Sequence, residues 1–223
     1  MPEDPIKRLS TGEQVALHVR QLIFDGALRP GERIPQDDIA KSLGISRIPV
    51  REGLIALEHE GWLTTELHRG AFVAVIDREA VIDHYALFGV IYGFAARRAI
   101  ERGRAAALSA ALAPILSRMD NEQDPVRFTR LVVDFHRQVI EHSESSRIAL
   151  TLRNMALLVP GDFMSTVPDA MISTRRTLGA VTAAIGEADI DTAIECYARM
   201  TAEVAELVAD LLEQRGLLGA TAR

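Results

Sequence analysis

The segment LGISRIPVREGLIALEHEGW, residues 43–62, combines the periodicity of an amphipathic helix with a polar and basic beginning. Its apolar positions recur at i, i+4 and i+7 and are Val50, Leu54 and Leu57. Ser46 is a good N-cap residue, because its hydroxyl can accept a hydrogen bond from a free first-turn N–H. Pro49 fits within the first turn, where a missing N–H costs little. The segment therefore predicts a helix with one core-facing side.

The opposite side of this helix is basic near its N-terminus. Arg47 and Arg51 can pair bidentately with guanine or with phosphate, whereas Ile48 offers only apolar contact, for instance to a thymine methyl group. A helix that only filled a core would have no use for this beginning. The alternative is that both arginines are solvated surface charges, and the neighbouring elements argue against it.

These neighbours predict a winged helix-turn-helix at the N-terminal end of the chain. Residues 12–25 have helical periodicity, GALRPGERIP interrupts it, and QDDIAKSLG is a short helix closed by Gly44. After the basic helix, two β-prone runs at residues 62–66 and 71–76 flank a polar turn with Gly70. The order helix, helix, helix, hairpin is that of a winged helix-turn-helix. Arg69, beside the turn glycine, is placed to enter a minor groove or to reach phosphate.

The remainder of the chain reads as helical, which makes the fold class mostly α. The predicted helices are residues 78–102, 104–121, 125–142, 145–159, 168–186 and 189–215. We therefore predict two domains: a winged helix-turn-helix domain at residues 1–76 and an all-α bundle of six or seven helices at residues 77–223.

Composition limits the classes of protein that fit. The net charge is −6, and residues 1–76 carry slightly more acidic than basic side chains, so DNA contact has to come from a local patch. No run of about 18 apolar residues and no secretory signal are found, so no membrane partner is expected. The single cysteine, Cys196, fits a reducing compartment, and we expect a cytoplasmic location.

The segment PGERIPQDDIAKSLGISRIPVREGLIALEHEGWLTTELHRGAFVA resembles the N-terminal domain of GntR-family transcription regulators. Two positions depart from the family pattern: Ile48 stands where threonine is usual, and Gly53 where alanine is usual. The glycine is expected to cost about 1 kcal/mol of helix stability relative to alanine. The helical remainder, with FHRQVI at residues 135–140, resembles the effector-binding FCD domain of the FadR-type subgroup.

The resemblance implies a homodimer that binds a pseudo-palindromic double-stranded DNA operator, since one recognition helix reads too few bases. A small-molecule effector in the helical domain would modulate that binding, and repression is the expected sign. The candidate DNA-binding residues are Arg33, Ser46, Arg47, Ile48, Arg51, Arg69 and Gly70.

The family's helical domain often binds a divalent metal through Asp-x-x-x-His and two further histidines. Here His136 matches the first histidine, but Val132 stands in place of the aspartate, and Leu178 and Met200 stand in place of the other histidines. One imidazole does not make a metal site. We therefore predict no metal and no other cofactor.

The effector pocket is expected around polar or amphipathic side chains on otherwise apolar helical faces. These candidates are Tyr85, Tyr92, His136, Asn154 and Tyr197. Each of them has a structural alternative, as a core or interface residue.

No catalytic constellation is present in the sequence, so an enzyme is not expected. Two rival hypotheses remain open. The first is an effector-independent DNA-binding or interaction protein with a degenerate pocket. The second is a helical-bundle enzyme fused to a DNA-binding module.

Overall fold

A computed structural model describes residues 10–155, 161–167 and 169–219, apart from the side chains of residues 153 and 154. In chain order these residues form α1 (Thr11–Phe24), α2 (Gln36–Leu43), α3 (Arg47–His59), β1 (Leu63–Glu66), β2 (Gly70–Val73), α4 (Arg78–Glu101), α5 (Ala105–Asn121), α6 (Pro125–His142), α7 (Ser146–Asn154), α8 (Phe163–Thr166), α9 (Ala170–Gly186) and α10 (Ile190–Gln214). The predicted fold class, mostly α with an N-terminal winged helix-turn-helix, is confirmed.

The predicted helices agree with the described ones within a few residues. The short α8 (Phe163–Thr166) was not predicted, because four residues are too few to show a helical repeat. The predicted helix at residues 145–159 corresponds to α7, which ends at Asn154, and residues 156–160 lie outside the described chain.

The chain divides into two compact units. One is formed by residues 1–77 together with residues 212–223, and the other by residues 78–211, as far as these ranges are described. The sequence prediction assigned everything after residue 76 to the second domain. In the structure, residues 212–219 group with the first unit.

Helices α1 and α3 form the core of the first unit. Val15, Val19, Val50 and Leu57 are fully buried between them, as the periodicity predicted for α3. Burying aliphatic side chains of this size is worth roughly 1.5–3 kcal/mol each. Gly53 of α3 sits directly against the beginning of α1.

The wing is an antiparallel hairpin that packs on this core. Strands β1 and β2 pair from Leu63 opposite Val73 to Glu66 opposite Gly70. Residues 31–34 run along the other edge of β2, where the amide of Ile34 donates to the carbonyl oxygen of Ala71 over 2.8 Å. Trp62 is buried beneath, with its ring edge-to-face against Phe24 at 5.1 Å between centroids.

The C-terminal segment, residues 212–219, adds apolar side chains to the first unit. Gly216 takes a left-handed backbone (φ 66°) after the end of α10, and the amide of Leu217 donates back to the carbonyl oxygen of Leu212. This is the hydrogen bond of a Schellman helix end. Leu217 is buried, and the amide of Gly219 donates to the carbonyl oxygen of Ile76.

The second unit is a helical bundle around a continuous apolar core. Phe128, Phe135, Leu178 and Tyr197 are among its largest fully buried side chains. Helix α4 packs closely on α10, because Gly93 would place an added Cβ only 3.4 Å from the Cα of Ile194. None of the described helices is long and apolar enough to cross a membrane.

Candidate nucleic-acid interface and bundle-core site

The N-terminal end of α3 is exposed, as predicted for a recognition helix. Ile48 is 69% exposed, so its apolar side chain is accessible from outside the unit. Arg51 is also exposed and lies one turn further along the same helix. The two side chains therefore stand on the surface where the sequence placed them.

Ser46 occupies the N-cap position with an extended backbone (φ −76°, ψ 170°), but its hydroxyl makes no capping hydrogen bond. The predicted bond was wrong. The reason lies in the sequence, because the third helical residue is Pro49, which has no N–H to donate to a cap oxygen. The exposed hydroxyl therefore stays available to an external group such as a phosphate.

Arg47 is held by Asp37, at the start of α2, in a bidentate ion pair. Its Nε lies 2.7 Å from Oδ1 and its NH2 group 2.8 Å from Oδ2. Both side chains are about two-thirds exposed, so the pair is worth at most about 1 kcal/mol. A phosphate or guanine can therefore compete with Asp37 for the guanidinium, because breaking the ion pair costs little free energy. Asp37 was not predicted as a partner of Arg47, although the acidic beginning of α2 is a signal for it in the sequence.

The wing carries the second basic group. Arg69 forms an ion pair with Glu66 and lies over the ring of Phe72, with 5.4 Å between its Cζ and the ring centroid. Arg33 reaches the same turn from the neighbouring edge, where its Nε donates to the carbonyl oxygen of Arg69 over 2.8 Å. Arg33 and Arg69 are therefore brought together, although they are far apart in sequence.

Gly70 is required at this turn for two reasons. Its φ of 104° is a conformation that residues with a side chain rarely adopt, and an added Cβ would lie 3.3 Å from Nε of Arg33. His68 shares the task with a φ of 63°, and Leu67 beside it is 83% exposed. Both residues belong to the candidate interface and were missed.

In the bundle, His136 lies against two tyrosines that the sequence analysis had selected. Its ring centroid is 4.4 Å from that of Tyr92 and 6.1 Å from that of Tyr197, and the two tyrosine rings stack at 5.7 Å. These three side chains, from α4, α6 and α10, are called the aromatic cluster below. Tyr85 is connected to it through Phe88. The side chain of Asn154 lies outside the described residues.

Several polar atoms in and near the cluster are buried without a hydrogen-bond partner among the described residues. They are Nε2 of His136, the hydroxyl of Tyr197 and the hydroxyl of Tyr85. Nδ1 of His136 lies 2.9 Å from the carbonyl oxygen of Val132 and donates to it, which leaves the Nε2 lone pair facing inward. An unpaired buried polar group costs about 1–3 kcal/mol, so a bound partner would be stabilised here.

Burial also sets the protonation of these groups. It lowers the pKa of His136 to about 4, an effect that the hydrogen bond to Val132 only partly offsets. It raises the pKa of Tyr92 to about 12 and that of Tyr197 well above its ordinary value. The cluster therefore has a neutral imidazole and neutral phenols near pH 7.

The residues present do not fit the metal site of the family. Val132 contributes its backbone carbonyl to His136, and Leu178 and Met200 are buried apolar side chains. Asp134, two residues before the histidine, pairs with Arg137 over 2.7 Å instead. In the described part of the chain, no three His, Cys, Asp or Glu side chains gather closely enough to hold a metal ion.

Arg175 and Arg176, at adjacent positions on α9, have structural partners. Arg175 donates to the carbonyl oxygens of Met119 and Glu122 at the end of α5, and its guanidinium lies 4.9 Å from the ring of Phe128. Arg176 pairs with Glu203 over 2.9 Å. Both are accounted for by packing within the bundle.

The exposed α3 end, the wing and the helical bundle together define a winged helix-turn-helix regulator. The sequence model described as "Bacterial regulatory proteins, gntR family" matches residues 11–73, and that of the FCD domain matches residues 83–206. The chain therefore belongs to the GntR family of transcription regulators, in the group that carries an FCD domain.

Similar proteins agree with this assignment. An uncharacterized HTH-type transcriptional regulator of Mycobacterium tuberculosis is 29% identical over 207 residues, which cover 92% of this chain and 84% of the relative. The Nta operon transcriptional regulator of Aminobacter aminovorans is 32% identical over 57% of this chain and 61% of its own length. The gluconate operon transcriptional repressor of Bacillus licheniformis is 27% identical over 69% of this chain and 64% of its own length.

Solved structures agree in fold. Lar, which controls the expression of the Listeria monocytogenes agr system, has a TM-score of 0.58 at 17% identity over 92% of this chain and 99% of the other. A GntR family member from Pseudomonas syringae pv. tomato has a TM-score of 0.52 at 22% identity over 92% of this chain and 87% of the other.

Proposed function

We propose that this protein is a ligand-responsive regulator that binds a pseudo-palindromic operator as a homodimer. The observation that carries the proposal is the exposed row of Ser46, Ile48 and Arg51 at the beginning of α3, with Arg47 beside it. A helix N-terminus with free side chains of this kind is what the major groove accepts. Arg33, Arg69 and the wing turn would contact the backbone or the minor groove.

The regulator is proposed to be a cytoplasmic repressor without catalytic activity. The sign of regulation is supported by similarity to the gluconate operon repressor. We also propose that it works without a metal, because His136 is surrounded by aromatic and aliphatic side chains rather than by further ligands.

The first test is enrichment of genomic DNA fragments on the purified protein at moderate salt, followed by sequencing. The proposal expects one or a few pseudo-palindromic sites. Retention that is blind to sequence and lost with added salt would mean that only phosphate attraction is present. That outcome would contradict the proposal.

The enriched site then serves to test the interface. Arg47→Ala and Arg51→Ala are each expected to weaken operator binding by about 5- to 150-fold, the equivalent of 1–3 kcal/mol. Arg137→Ala is a matched control, because Arg137 is similarly exposed and also paired with an aspartate, but lies on α6. Equal affinities for all three variants and the wild type would exclude α3 as the recognition helix.

We further propose that the aromatic cluster contacts the effector. The unpartnered atoms of His136 and Tyr197 are the observation behind this proposal, and their neutral state favours an uncharged polar compound. The test is a thermal-shift screen of small metabolites against the wild type and His136→Gln. A compound that stabilises only the wild type, and weakens its binding to the operator, is the expected result. Equal stabilisation of both proteins would place the effector elsewhere.

A further inference from the structure

The outer face of α4 is apolar and exposed. Leu87 is 56% exposed, Val90 is 66% exposed and Phe94 is 48% exposed, while the opposite face of the helix packs into the bundle core. These three side chains follow one another at intervals of three and four residues, so they form one continuous row. A contiguous apolar row on a helix surface is a candidate site of interaction.

Charged residues of opposite sign bound this row. Asp83 lies seven residues before Val90, and Arg97 lies seven residues after it. Each is therefore about 10 Å from Val90 along the helix axis, and the row spans roughly a quarter of the helix circumference. Glu79 and Arg98 extend the acidic and basic ends.

This order makes the face complementary to itself when a second copy is turned end for end. A two-fold axis near Val90 brings the two Val90 side chains together and places Leu87 beside Gly93 and Phe94 of the second copy. It also brings Asp83 opposite Arg97 of the second copy, twice in the dimer. An isologous interface requires this kind of self-complementarity.

The partners that Arg97 already has do not prevent the pairing. Its Nε lies 2.7 Å from Oε1 of Glu101, and its side chain remains 51% exposed. A guanidinium has further N–H donors beyond the one on Nε. Glu101 also accepts from Arg98 over 3.0 Å, so this end of the row keeps a net positive charge.

We propose that α4 forms a two-fold, antiparallel contact with α4 of a second copy of this chain, centred on Val90. The inference rests on the homodimer of the proposed function and names the surface that forms it. Leu87, Val90 and Phe94 become buried, and the Asp83–Arg97 pairs set the antiparallel register.

The test is sedimentation velocity of the full chain over a range of concentrations. Val90→Asp is expected to raise the dimer dissociation constant about 100-fold, because it brings two carboxylates together at the two-fold axis. Asp83→Arg and Arg97→Asp are each expected to raise it about tenfold, since each replaces two attractions with two repulsions. The double variant with both charge reversals is expected to restore the wild-type constant. Val133→Asp on α6, also at an exposed apolar position, is the control and is expected to dimerise normally.

Circular dichroism checks that each variant keeps the wild-type helix content. If the wild type is a dimer and none of the α4 variants weakens it, the inference is overturned, whereas the homodimer of the proposed function is supported. Weakening by Val90→Asp without charge rescue would overturn the antiparallel register. A wild type that stays monomeric, both free and with the operator, would overturn the homodimer and this inference together.

Discussion

Gly53 of α3 lies so close to Gly12 of α1 that a side chain at position 53 does not fit against the facing helix. A Cβ added at position 53 would be 2.7 Å from the carbonyl oxygen of Gly12 and 2.9 Å from Cβ of Val15. The sequence suggested that glycine here only weakens the helix. The structure shows that it permits a close approach between α3 and α1.

Gly53→Ala is therefore expected to lower the free energy of unfolding of the first unit by about 1–3 kcal/mol, because overpacking outweighs the gain in helix propensity. Trp62 is the only tryptophan of the chain and is buried in this unit, so its fluorescence during urea unfolding reports the change. Gly179→Ala in α9 is the control, since nothing lies within 4 Å of its added Cβ. That variant is expected to raise the free energy of unfolding by about 0.5–1 kcal/mol, measured by urea unfolding followed by circular dichroism. A stabilised Gly53→Ala would contradict the close approach.

Asp37→Ala is expected to strengthen operator binding by about two- to fivefold. The substitution releases Arg47 from an exposed ion pair and removes a negative charge near the proposed phosphate contacts. Fluorescence anisotropy with the enriched operator measures the effect, and Asp134→Ala is the matched control on α6. Weaker binding by Asp37→Ala would show instead that the aspartate orients Arg47 for DNA.

His136 should make the bundle less stable in mild acid. Burial lowers its pKa to about 4 from an ordinary value of 6.5, so the unfolded chain binds the proton more readily between these values. The stability contributed by neutral His136 is fully present above pH 6.5 and is lost as the pH falls towards 4. From pH 7 to pH 5 the loss is about 2 kcal/mol at 1.36 kcal/mol for each pKa unit.

His136→Leu removes this dependence, so the difference between the unfolding free energies of the wild type and the variant is the quantity to measure. Urea unfolding followed by circular dichroism at pH 5, 6 and 7 provides it. Parallel curves for the two proteins would mean that His136 is accessible to protons in the folded state.

Leu217→Ala is expected to cost about 2–3 kcal/mol in the unfolding of the first unit, although the residue lies near the C-terminal end of the chain. Its side chain is buried in that unit, and truncating it leaves a cavity. Trp62 fluorescence again reports the transition. Leu17→Ala, at a half-exposed position on α1, should cost well under half as much. Similar small losses for both variants would contradict the packing of the C-terminal segment.

Local signals in the sequence were sufficient for the helices and for much of the candidate interface. The repeat of Val50, Leu54 and Leu57 defines the buried side of α3, and it therefore also defines the exposed side with Ile48 and Arg51. Tyr92, His136 and Tyr197 were selected one by one as polar groups on apolar faces. Their meeting depends on the packing of three helices, which periodicity does not encode.

Other features depended on contacts between distant residues. Arg33 reaches the wing turn across β2, and Asp37 holds Arg47 across the turn between α2 and α3. His68 adopts a left-handed backbone conformation, which a glycine normally indicates in a sequence. Pro49 lacks the N–H that would donate to the hydroxyl of Ser46. This consequence follows from counting helix positions, but the count requires the first residue of the helix to be known.

The grouping of residues 212–219 with the first unit bears on how regulators of this design can change during evolution. A gene segment that encodes residues 1–77 alone does not carry the whole core of the winged unit, since Leu212 and Leu217 come from the other end of the chain. If two relatives exchanged only the segment equivalent to residues 1–77, Trp62 and Ile76 would no longer face the leucines, Leu212 and Leu217, that pack with them. Successful chimaeras should inherit both ends of the gene from the same parent.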